Sequence, residues 1–182
     1  MFGFVDVSAS THLDSAGGIR SVSRAGICLH STGGVDSRSW LQRVENDPAK
    51  RSSADYLIST EGLIQQITPI GRYAYHAGKA RWRAWSNVDQ MVNMLLVGVE
   101  VECLDTLDSR WTDPQYIAVG ALLRALVSRH RLPVNNLVTH AEIAVPPGRK
   151  TDPLVLSWPV LTRELLYPSW QMDLYKFPAV MA

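Results

Sequence analysis

The sequence predicts a single mixed α/β domain, in which helices flank a central mixed β-sheet. Its 182 residues suit one hydrophobic core, since domains typically contain about 100–200 residues. The composition, 46% hydrophobic and 19% charged, is that of an ordinary folded protein. Extended and helical patterns alternate along the chain without an internal repeat, which favours an α/β architecture. We therefore place the domain at residues 24–167, between an N-terminal arm at 1–23 and a C-terminal tail at 168–182.

The first half of the domain is predicted to contain three strands and one helix. Gly26–His30 is a short apolar run typical of a strand. Residues 36–46 begin with capping residues and place apolar side chains at helical spacing. Residues 54–59 and 63–68 flank a glycine-containing turn and predict a β-hairpin. The following residues, 71–89, show no periodicity and are expected to form a long surface loop.

Residues 94–103 form a near-continuous apolar run that predicts a central strand. The two-residue period of a strand puts Glu100 and Glu102 on one face. A carboxylate in such a run is costly to bury unless it is paired or used in chemistry. The alternative, that both glutamates face solvent at a strand end, fits the sequence equally well.

The second half is predicted to be mainly helical. Thr112-Asp-Pro-Gln115 is a capping box, and the apolar positions after it recur at helical spacing until the chain reaches Pro133. A short extended segment is expected at Asn136–His140. A last helix is expected from about Pro159 to Leu166.

Charge and apolar patterning exclude several classes of partner. Eighteen Lys and Arg against seventeen Asp and Glu give a net charge of +1, so a nucleic acid partner is not expected. No apolar run approaches the roughly 18 residues of a membrane helix, so membrane insertion is not expected. The N-terminal residues do not resemble a signal peptide, and Cys28 and Cys103 are expected to be buried free thiols. These features predict a cytoplasmic protein.

Three side chains form a candidate metal site: His30 at a strand end, His140 after another apolar segment, and Asp152. Two imidazoles and one carboxylate suit Zn²⁺ and leave a fourth position for water, as in catalytic zinc sites. The spacing alone is a weak signal, because a lone histidine is more often a hydrogen-bonded structural residue.

Lys150 adds a cation to this candidate site. It lies two residues before Asp152, so in an extended segment both side chains point to the same side. If Glu100 also lies there, a metal ion, a carboxylate base and a cationic donor would converge. That combination is typical of hydrolysis of an amide or an ester.

Five segments carry a resemblance to a known family. In order and spacing they are similar to the zinc-dependent N-acetylmuramoyl-L-alanine amidases, over roughly residues 25–167. The segments are Cys28-Leu-His30-Ser-Thr32, Tyr75-His76-Ala-Gly78, Val97-Gly-Val-Glu100-Val-Glu102, Val138-Thr-His140 and Arg149-Lys-Thr-Asp152-Pro153.

The resemblance implies an amidase fold that cuts the bond between N-acetylmuramic acid and the L-alanine of the peptidoglycan stem peptide. It implies that His30, His140 and Asp152 are zinc ligands. It further implies that Glu100 is the general base and Lys150 the partner of the oxyanion. Glu102 matches no catalytic position and is expected to point outward or to be a hydrogen-bonded neighbour.

The third ligand indicates a branch of the family. The recognition proteins and some phage lysozymes use a cysteine where this chain has Asp152, and they carry a tyrosine where it has Ala54. The chain therefore looks closer to the branch that contains the cytoplasmic anhydro-muropeptide amidases. Asp55 stands where a histidine is common, and Leu154 where a glycine is usual, so the shape of both loops is in question.

Three further residues are candidates for substrate binding. His76 matches a family segment and would line the groove, or it stacks on Tyr75 as an ordinary loop histidine. Asn93 matches a recurrent family asparagine, or is a turn residue before the strand. Thr32 lies just after the first ligand. Whether Trp82 and Trp85 stack on sugars or cover the core stays open.

The resemblance predicts a monomeric hydrolase that acts on peptidoglycan or a muropeptide. It would serve as a phage or prophage endolysin released through a holin, or as a cell-wall recycling enzyme. Two alternatives remain: a non-catalytic peptidoglycan-binding module of the same fold, and a zinc amidase for a different acylated peptide.

Overall fold

The computed structural model describes residues 4–6, 16–47, 49 and 51–167. Within these ranges the strands are β1 (Phe4–Asp6), β2 (Ala16–Ile19), β3 (Gly26–Ser31), β4 (Tyr56–Ile58), β5 (Ile64–Gln66), β6 (Arg72–Ala74), β7 (Arg81–Trp82), β8 (Trp85–Ser86), β9 (Leu96–Val101) and β10 (Leu137–Thr139). The helices are α1 (Ser37–Asn46), α2 (Met91–Leu95), α3 (Asp113–His130), α4 (His140–Ile143) and α5 (Trp158–Leu166). None of the described helices has the length and apolar character needed to cross a bilayer.

Six of the strands form a mixed sheet in the order β1-β5-β4-β9-β3-β10. The four strands from β4 to β10 run parallel to one another. β5 runs antiparallel to β4 and parallel to β1. This arrangement confirms the predicted mixed sheet, the predicted hairpin and the central place of the long apolar strand.

The two faces of the sheet are covered by different elements. Ile27 and Leu29 of β3 pack in a core with α3 and α5. The intervening Cys28 packs in a second cluster, with side chains of α2 and α4. Because side chains alternate along a strand, His30 follows Cys28 onto this second face. Cys28 and Cys103 are both buried free thiols, as predicted.

Helix α3 begins at the predicted capping box. Thr112 Oγ1 accepts a hydrogen bond from Gln115 N at 3.2 Å, and Gln115 Oε1 accepts one from Thr112 N at 2.9 Å. The helix ends at His130, and α5 packs against it through the fully buried Leu161. Both helices were predicted, and their bounds agree within a residue or two.

The prediction of a long surface loop at residues 71–89 is wrong. The segment contains β6, which pairs with β2, and the short β7–β8 hairpin. The Trp82 side chain is buried in the core, whereas Trp85 is half exposed. Strands of two or three residues are too short to produce a periodic pattern, and this explains the error.

The apolar run at residues 94–103 also differs from its prediction. Its first residues belong to α2, and the strand begins at Leu96. Four consecutive residues of α2 are buried, so periodicity could not separate this helical turn from a strand. Glu102 lies beyond the strand and is buried; its Oε2 accepts a hydrogen bond from Thr60 N at 2.8 Å. Its expected role as a hydrogen-bonded neighbour is confirmed.

The sequence indicated no strand in residues 1–23, yet β1 and β2 lie there. β1 pairs with β5 through the backbone, which any sequence can do, so side-chain patterning gave no sign of it. The predicted C-terminal tail at 168–182 lies outside the described residues.

A buried ion pair fixes the end of the sheet where β3 and β9 begin. Arg24 Nη2 lies 2.5 Å from Asp55 Oδ1, and both side chains are about 5% exposed. The second oxygen of Asp55 accepts a hydrogen bond from Gly98 N at 2.8 Å. Burial raises the pKa of Asp55, while the charge of Arg24 opposes that rise. The residue that departs from the family pattern is therefore tied directly to the central strand.

Candidate metal centre

The carboxyl ends of the parallel strands bring the predicted site together. His30 near the end of β3 and Glu100 near the end of β9 are direct partners in the strand register. β10 pairs with β3 on the other side, so His140, the first residue after β10, comes next to His30. Ligand sites commonly form at this edge of an open α/β sheet. Asp152 follows on a loop held by a hydrogen bond from Ala141 N to Asp152 O at 3.0 Å.

The three predicted metal ligands converge. His140 Nδ1 lies 3.0 Å and His30 Nδ1 lies 3.5 Å from the same atom, Asp152 Oδ2. All three candidate ligand atoms lie within 4.8 Å of one another. Both histidines are buried, whereas Asp152 is partly exposed. A second group of three, Cys28, His30 and His76, satisfies the same distance criterion.

Backbone carbonyls determine which nitrogen of each ligand histidine carries a proton. His140 Nε2 lies 3.2 Å from Ala77 O, which can only accept, so this nitrogen is the donor. His76 Nε2 is likewise fixed as a donor by Leu96 O at 3.2 Å. His76 Nδ1 is then an acceptor, and His30 Nε2, at 3.0 Å, must donate to it.

These proton positions on the histidines decide whether a cation fits the site. With both Nε2 atoms protonated, the neutral His30 and His140 turn their Nδ1 lone pairs toward one carboxylate oxygen of Asp152. Three negative or lone-pair atoms at this distance repel one another unless a cation or protons lie between them. His30 Nδ1 is a buried nitrogen without a hydrogen-bond partner among the described residues. Two imidazoles and a carboxylate therefore fit a metal ion such as zinc.

The electrostatics of the metal-free site favour neutral His30. Burial lowers its pKa to about 4, and the neighbouring carboxylate of Asp152 offsets only part of that effect. Burial acts on Asp152 in the opposite sense, yet the two neighbouring histidines keep the pKa of this carboxyl below its ordinary value. A neutral imidazole and an ionised carboxylate are the forms that bind metals.

Glu100 lines the same cavity as His140 and Asp152, on the second face of the sheet. Its Oε2 atom is buried and has no hydrogen-bond partner among the described residues. Burial raises the pKa of Glu100 to about 8, and the negative charge of Asp152 adds to the rise. A carboxyl with a pKa near neutrality can both accept and release a proton.

An open cavity of about 730 Å³ adjoins these side chains. Glu100, Lys150 and Asp152 all line it, and Trp40 of α1 forms part of its wall. Lys150 is exposed, so its ammonium group can approach a molecule in the cavity. The residues that the sequence analysis associated with hydrolysis thus share one concave surface.

A second cavity of about 420 Å³ continues from the first and shares His76, His140 and Lys150 with it. Among the described residues, its wall carries several cationic side chains and no carboxylate. These cations are Arg51, Lys79, Arg149 and Lys150. We call this second cavity the basic groove. Arg149 is held in place by hydrogen bonds to Lys79 O and Val145 O, while Lys79 is exposed.

The three predicted substrate-binding residues border these cavities but have their polar atoms engaged within the protein. Both ring nitrogens of His76 are hydrogen-bonded, as described above. Asn93 Oδ1 accepts hydrogen bonds from His76 N and Ala77 N, and its Nδ2 donates to Gln90 Oε1. Thr32 Oγ1 donates to Gly34 O at 2.7 Å.

Sequence reasoning missed the carbonyls of Ala77 and Leu96, which orient the histidines, and it missed Arg51 and Lys79 of the basic groove. A backbone carbonyl carries no sequence signal. The two cations lie in segments without periodicity, and only the fold shows that they share a wall.

These observations define a class: an α/β protein whose central sheet brings together, at one edge, two histidines and a carboxylate that fit a metal ion. The model of the N-acetylmuramoyl-L-alanine amidase family matches residues 21–154. The chain belongs to this family.

Individual relatives agree with that assignment. The 1,6-anhydro-N-acetylmuramyl-L-alanine amidase AmpD of Citrobacter freundii is 38% identical over 103 residues, which are 57% of this chain and 51% of that protein. The chain thus spans about half the length of the curated relatives it matches. A crystal structure of an AmpD derivative superposes with a TM-score of 0.64 at 26% identity, covering 81% of this chain and 88% of that one. A mutant endolysin from Bacillus subtilis has a TM-score of 0.65 at 17% identity over 91% of this chain and 99% of its own, and shows the fold alone.

Proposed function

We propose that this protein is a zinc-dependent N-acetylmuramoyl-L-alanine amidase that hydrolyses the amide bond between N-acetylmuramic acid and L-alanine. One observation carries the proposal: His30, His140 and Asp152 converge, and the last two line one open cavity together with Glu100 and Lys150. Family membership supports the identity of the bond.

His30 Nδ1, His140 Nδ1 and a carboxylate oxygen of Asp152 would hold the zinc ion. A bound Zn²⁺ supplies Lewis acidity and lowers the pKa of water. The hydrogen bonds at both Nε2 atoms keep the lone pairs of the two imidazoles aimed at the ion. Burial of both histidines excludes competing water from the ligand side of the site.

Glu100 is proposed as the proton carrier. A nearby cation favours the ionised form of a carboxyl. Lys150 already opposes the rise of the Glu100 pKa to about 8, and a metal ion would lower that pKa further. Glu100 then accepts the proton of the attacking water and returns it to the leaving amine of L-alanine. Lys150 places a positive charge where the carbonyl oxygen becomes negative.

The charge of the basic groove favours a substrate peptide that carries free carboxylates. Of the residues that the structure describes, four cations and no acidic residue line it, so its potential favours an anionic ligand. It joins the main cavity at His140 and Lys150, beside the proposed zinc site. A stem peptide would lie there while the sugar occupies the larger cavity. The substrate is therefore proposed to be a muropeptide or peptidoglycan with an acidic stem.

Between the two biological roles, we favour cell-wall recycling in the cytoplasm over release as an endolysin. The curated relatives are named as 1,6-anhydro-N-acetylmuramyl-L-alanine amidases, which supports a soluble anhydro-muropeptide as the substrate. We further propose that the protein acts as a monomer. Size-exclusion chromatography with light scattering checks this point, and a stable dimer would contradict it.

The alternative of a non-catalytic binding module is disfavoured by the complete set of ligands, base and cation. Such a module has no need for a buried carboxyl like Glu100, whose Oε2 atom lacks a partner among the described residues.

The proposal is tested by mass spectrometry of the products from soluble anhydro-muropeptide and from purified peptidoglycan. Each substrate is incubated with the protein, with and without a zinc chelator. We expect free peptides that begin at L-alanine, released faster from the soluble substrate and lost with chelator. Faster release from peptidoglycan would favour the endolysin role, and no release by the zinc-loaded protein would favour the binding module.

A further inference from the structure

His76 lies beside the ligand His30 and borders both cavities at the proposed zinc site. Its side chain is 7% exposed and its ring centroid lies 5.0 Å from that of His30. Its two ring nitrogens bridge the ligand His30 and the carbonyl of Leu96. A ring with both nitrogens occupied has no polar atom left for a substrate.

The neighbouring residue orients the other histidine ligand. Ala77 O accepts the hydrogen bond from His140 Nε2 at 3.2 Å. Two consecutive residues, one through its side chain and one through its carbonyl, thus set the tautomers of both ligand histidines. Asn93 Oδ1 holds the backbone of this pair, since it accepts from His76 N at 3.1 Å and from Ala77 N at 2.8 Å.

The strand beneath His76 is shaped to admit the ring. A Cβ atom at Gly98 of β9 would lie 2.5 Å from His76 Cγ, closer than two such atoms can approach. Glycine at position 98 of the central strand therefore leaves the space in which the His76 ring packs. The neighbours of Gly98 in the strand, Val97 and Val99, carry branched side chains, and these pack on the opposite face of the sheet. The side chain is therefore missing only on the face where His76 packs.

We infer that His76 is a positioning residue for the zinc ion, with Asn93 as its anchor, and that neither binds substrate. His76 Nδ1 accepts a hydrogen bond from His30 Nε2 and so holds the His30 Nδ1 lone pair toward the ion. This inference rests on the proposed function, because it assumes the zinc ion that His30 would bind. Partners of this kind typically change metal affinity by about 10- to 100-fold when removed.

Three substitutions of His76 separate positioning from packing. In His76→Asn the side-chain oxygen takes the place of Nδ1 and keeps an acceptor for His30. In His76→Gln the side-chain nitrogen reaches the place of Nε2 and keeps only the bond to Leu96 O. His76→Ala keeps neither. Zinc affinity is measured for each by competition with a chromogenic chelator, and circular dichroism confirms the fold.

We expect His76→Ala and His76→Gln to bind zinc roughly 10- to 100-fold more weakly, and His76→Asn to stay within about threefold of the parent. Asn93→Ala should also weaken zinc binding. Unchanged affinity in His76→Ala, or an equal loss in all three His76 variants, would overturn the inference.

A measurement on the unmodified protein covers the case in which the variants do not fold. With ¹⁵N-labelled histidine, a coupling through the hydrogen bond between His30 Nε2 and His76 Nδ1 should be visible by NMR, and its absence would contradict the inference. None of these readouts needs amidase activity. A parent protein that binds zinc but releases no peptide would therefore refute the proposed function and leave the positioning role standing.

Discussion

At the scale of single residues, the surroundings of Glu100 determine its chemistry. Its register partner His30 and the nearby Asp152 place it beside the proposed metal ion, whereas Glu102, two residues on, accepts a hydrogen bond from Thr60 N. Two glutamates of one segment thus have different surroundings: Glu100 lies where it can exchange a proton, whereas Glu102 makes a structural hydrogen bond. This contrast provides a matched pair for mutagenesis.

Glu100→Gln should retain zinc and lower kcat by about 10²–10⁴-fold, because the amide cannot accept a proton. Turnover of a muropeptide is measured by product release, and zinc content by elemental analysis. Glu102→Gln is the control and should keep most of the activity. Comparable turnover in the two variants would remove Glu100 from the proposed role.

The basic groove makes a second prediction about single side chains. Lys79→Ala should raise KM for a muropeptide by roughly 2- to 5-fold and leave kcat unchanged, since an exposed charge pair contributes about 0.2–1 kcal/mol. The effect should fade at high salt. Arg81→Ala removes the same charge from an exposed residue that does not line the groove. An equal rise in KM for both variants would show that only net charge matters.

At the scale of secondary structure elements, the Arg24–Asp55 pair connects the residues before β3 and β4 to the beginning of β9. Arg24 donates a hydrogen bond to Leu96 O, and Asp55 accepts one from Gly98 N. Asp55→Leu should lower the free energy of unfolding by about 3–5 kcal/mol, because it leaves the buried Arg24 charge without its carboxylate. Urea denaturation measures the change. The double variant Arg24→Met/Asp55→Leu should recover part of the loss.

Asp108 is an exposed aspartate, and Asp108→Leu serves as the control for the Asp55 substitution. It should change the free energy of unfolding by no more than about 0.5 kcal/mol. An Asp55→Leu variant as stable as this control would show that the buried pair contributes nothing to the sheet.

The elements also show where sequence reasoning succeeds. β3, α3 and α5 were predictable, because each is long enough to show its period or has a capping residue such as Thr112. The hairpin was predictable from the glycine-containing turn between its strands. β1 and β7 were not, since they consist of three and two residues and form mainly through backbone pairing. The ligand residues themselves could be named from motifs, but the residues that orient them could not. Their contribution is a carbonyl oxygen or a contact across the sheet.

At the scale of the whole molecule, pH acts through His130 at the end of α3. Burial, with the nearby charges of Arg129 and Arg24, lowers its pKa to about 4. Between pH 6.5 and pH 4 the unfolded chain therefore binds a proton that the folded protein does not. Stability from this group is complete above pH 6.5 and falls as the pH decreases.

His130→Gln should remove that dependence. Relative to the parent, the variant should gain stability as the pH falls from 7 to 4.5, as measured by urea denaturation at both values. Parallel stability curves for the two proteins over this range would contradict the assignment.

The placement of the proposed metal ligands would affect the kinetics of folding as well as the chemistry of the site. His30 lies in the central strand β3 and His140 directly after the edge strand β10, far apart in the chain. The ligand set is complete only after β10 has paired, and such non-local pairing forms late in folding. An ion bound there would add little to the speed of folding and would mainly slow unfolding. In a cell, zinc would then determine how long each molecule survives between synthesis and degradation.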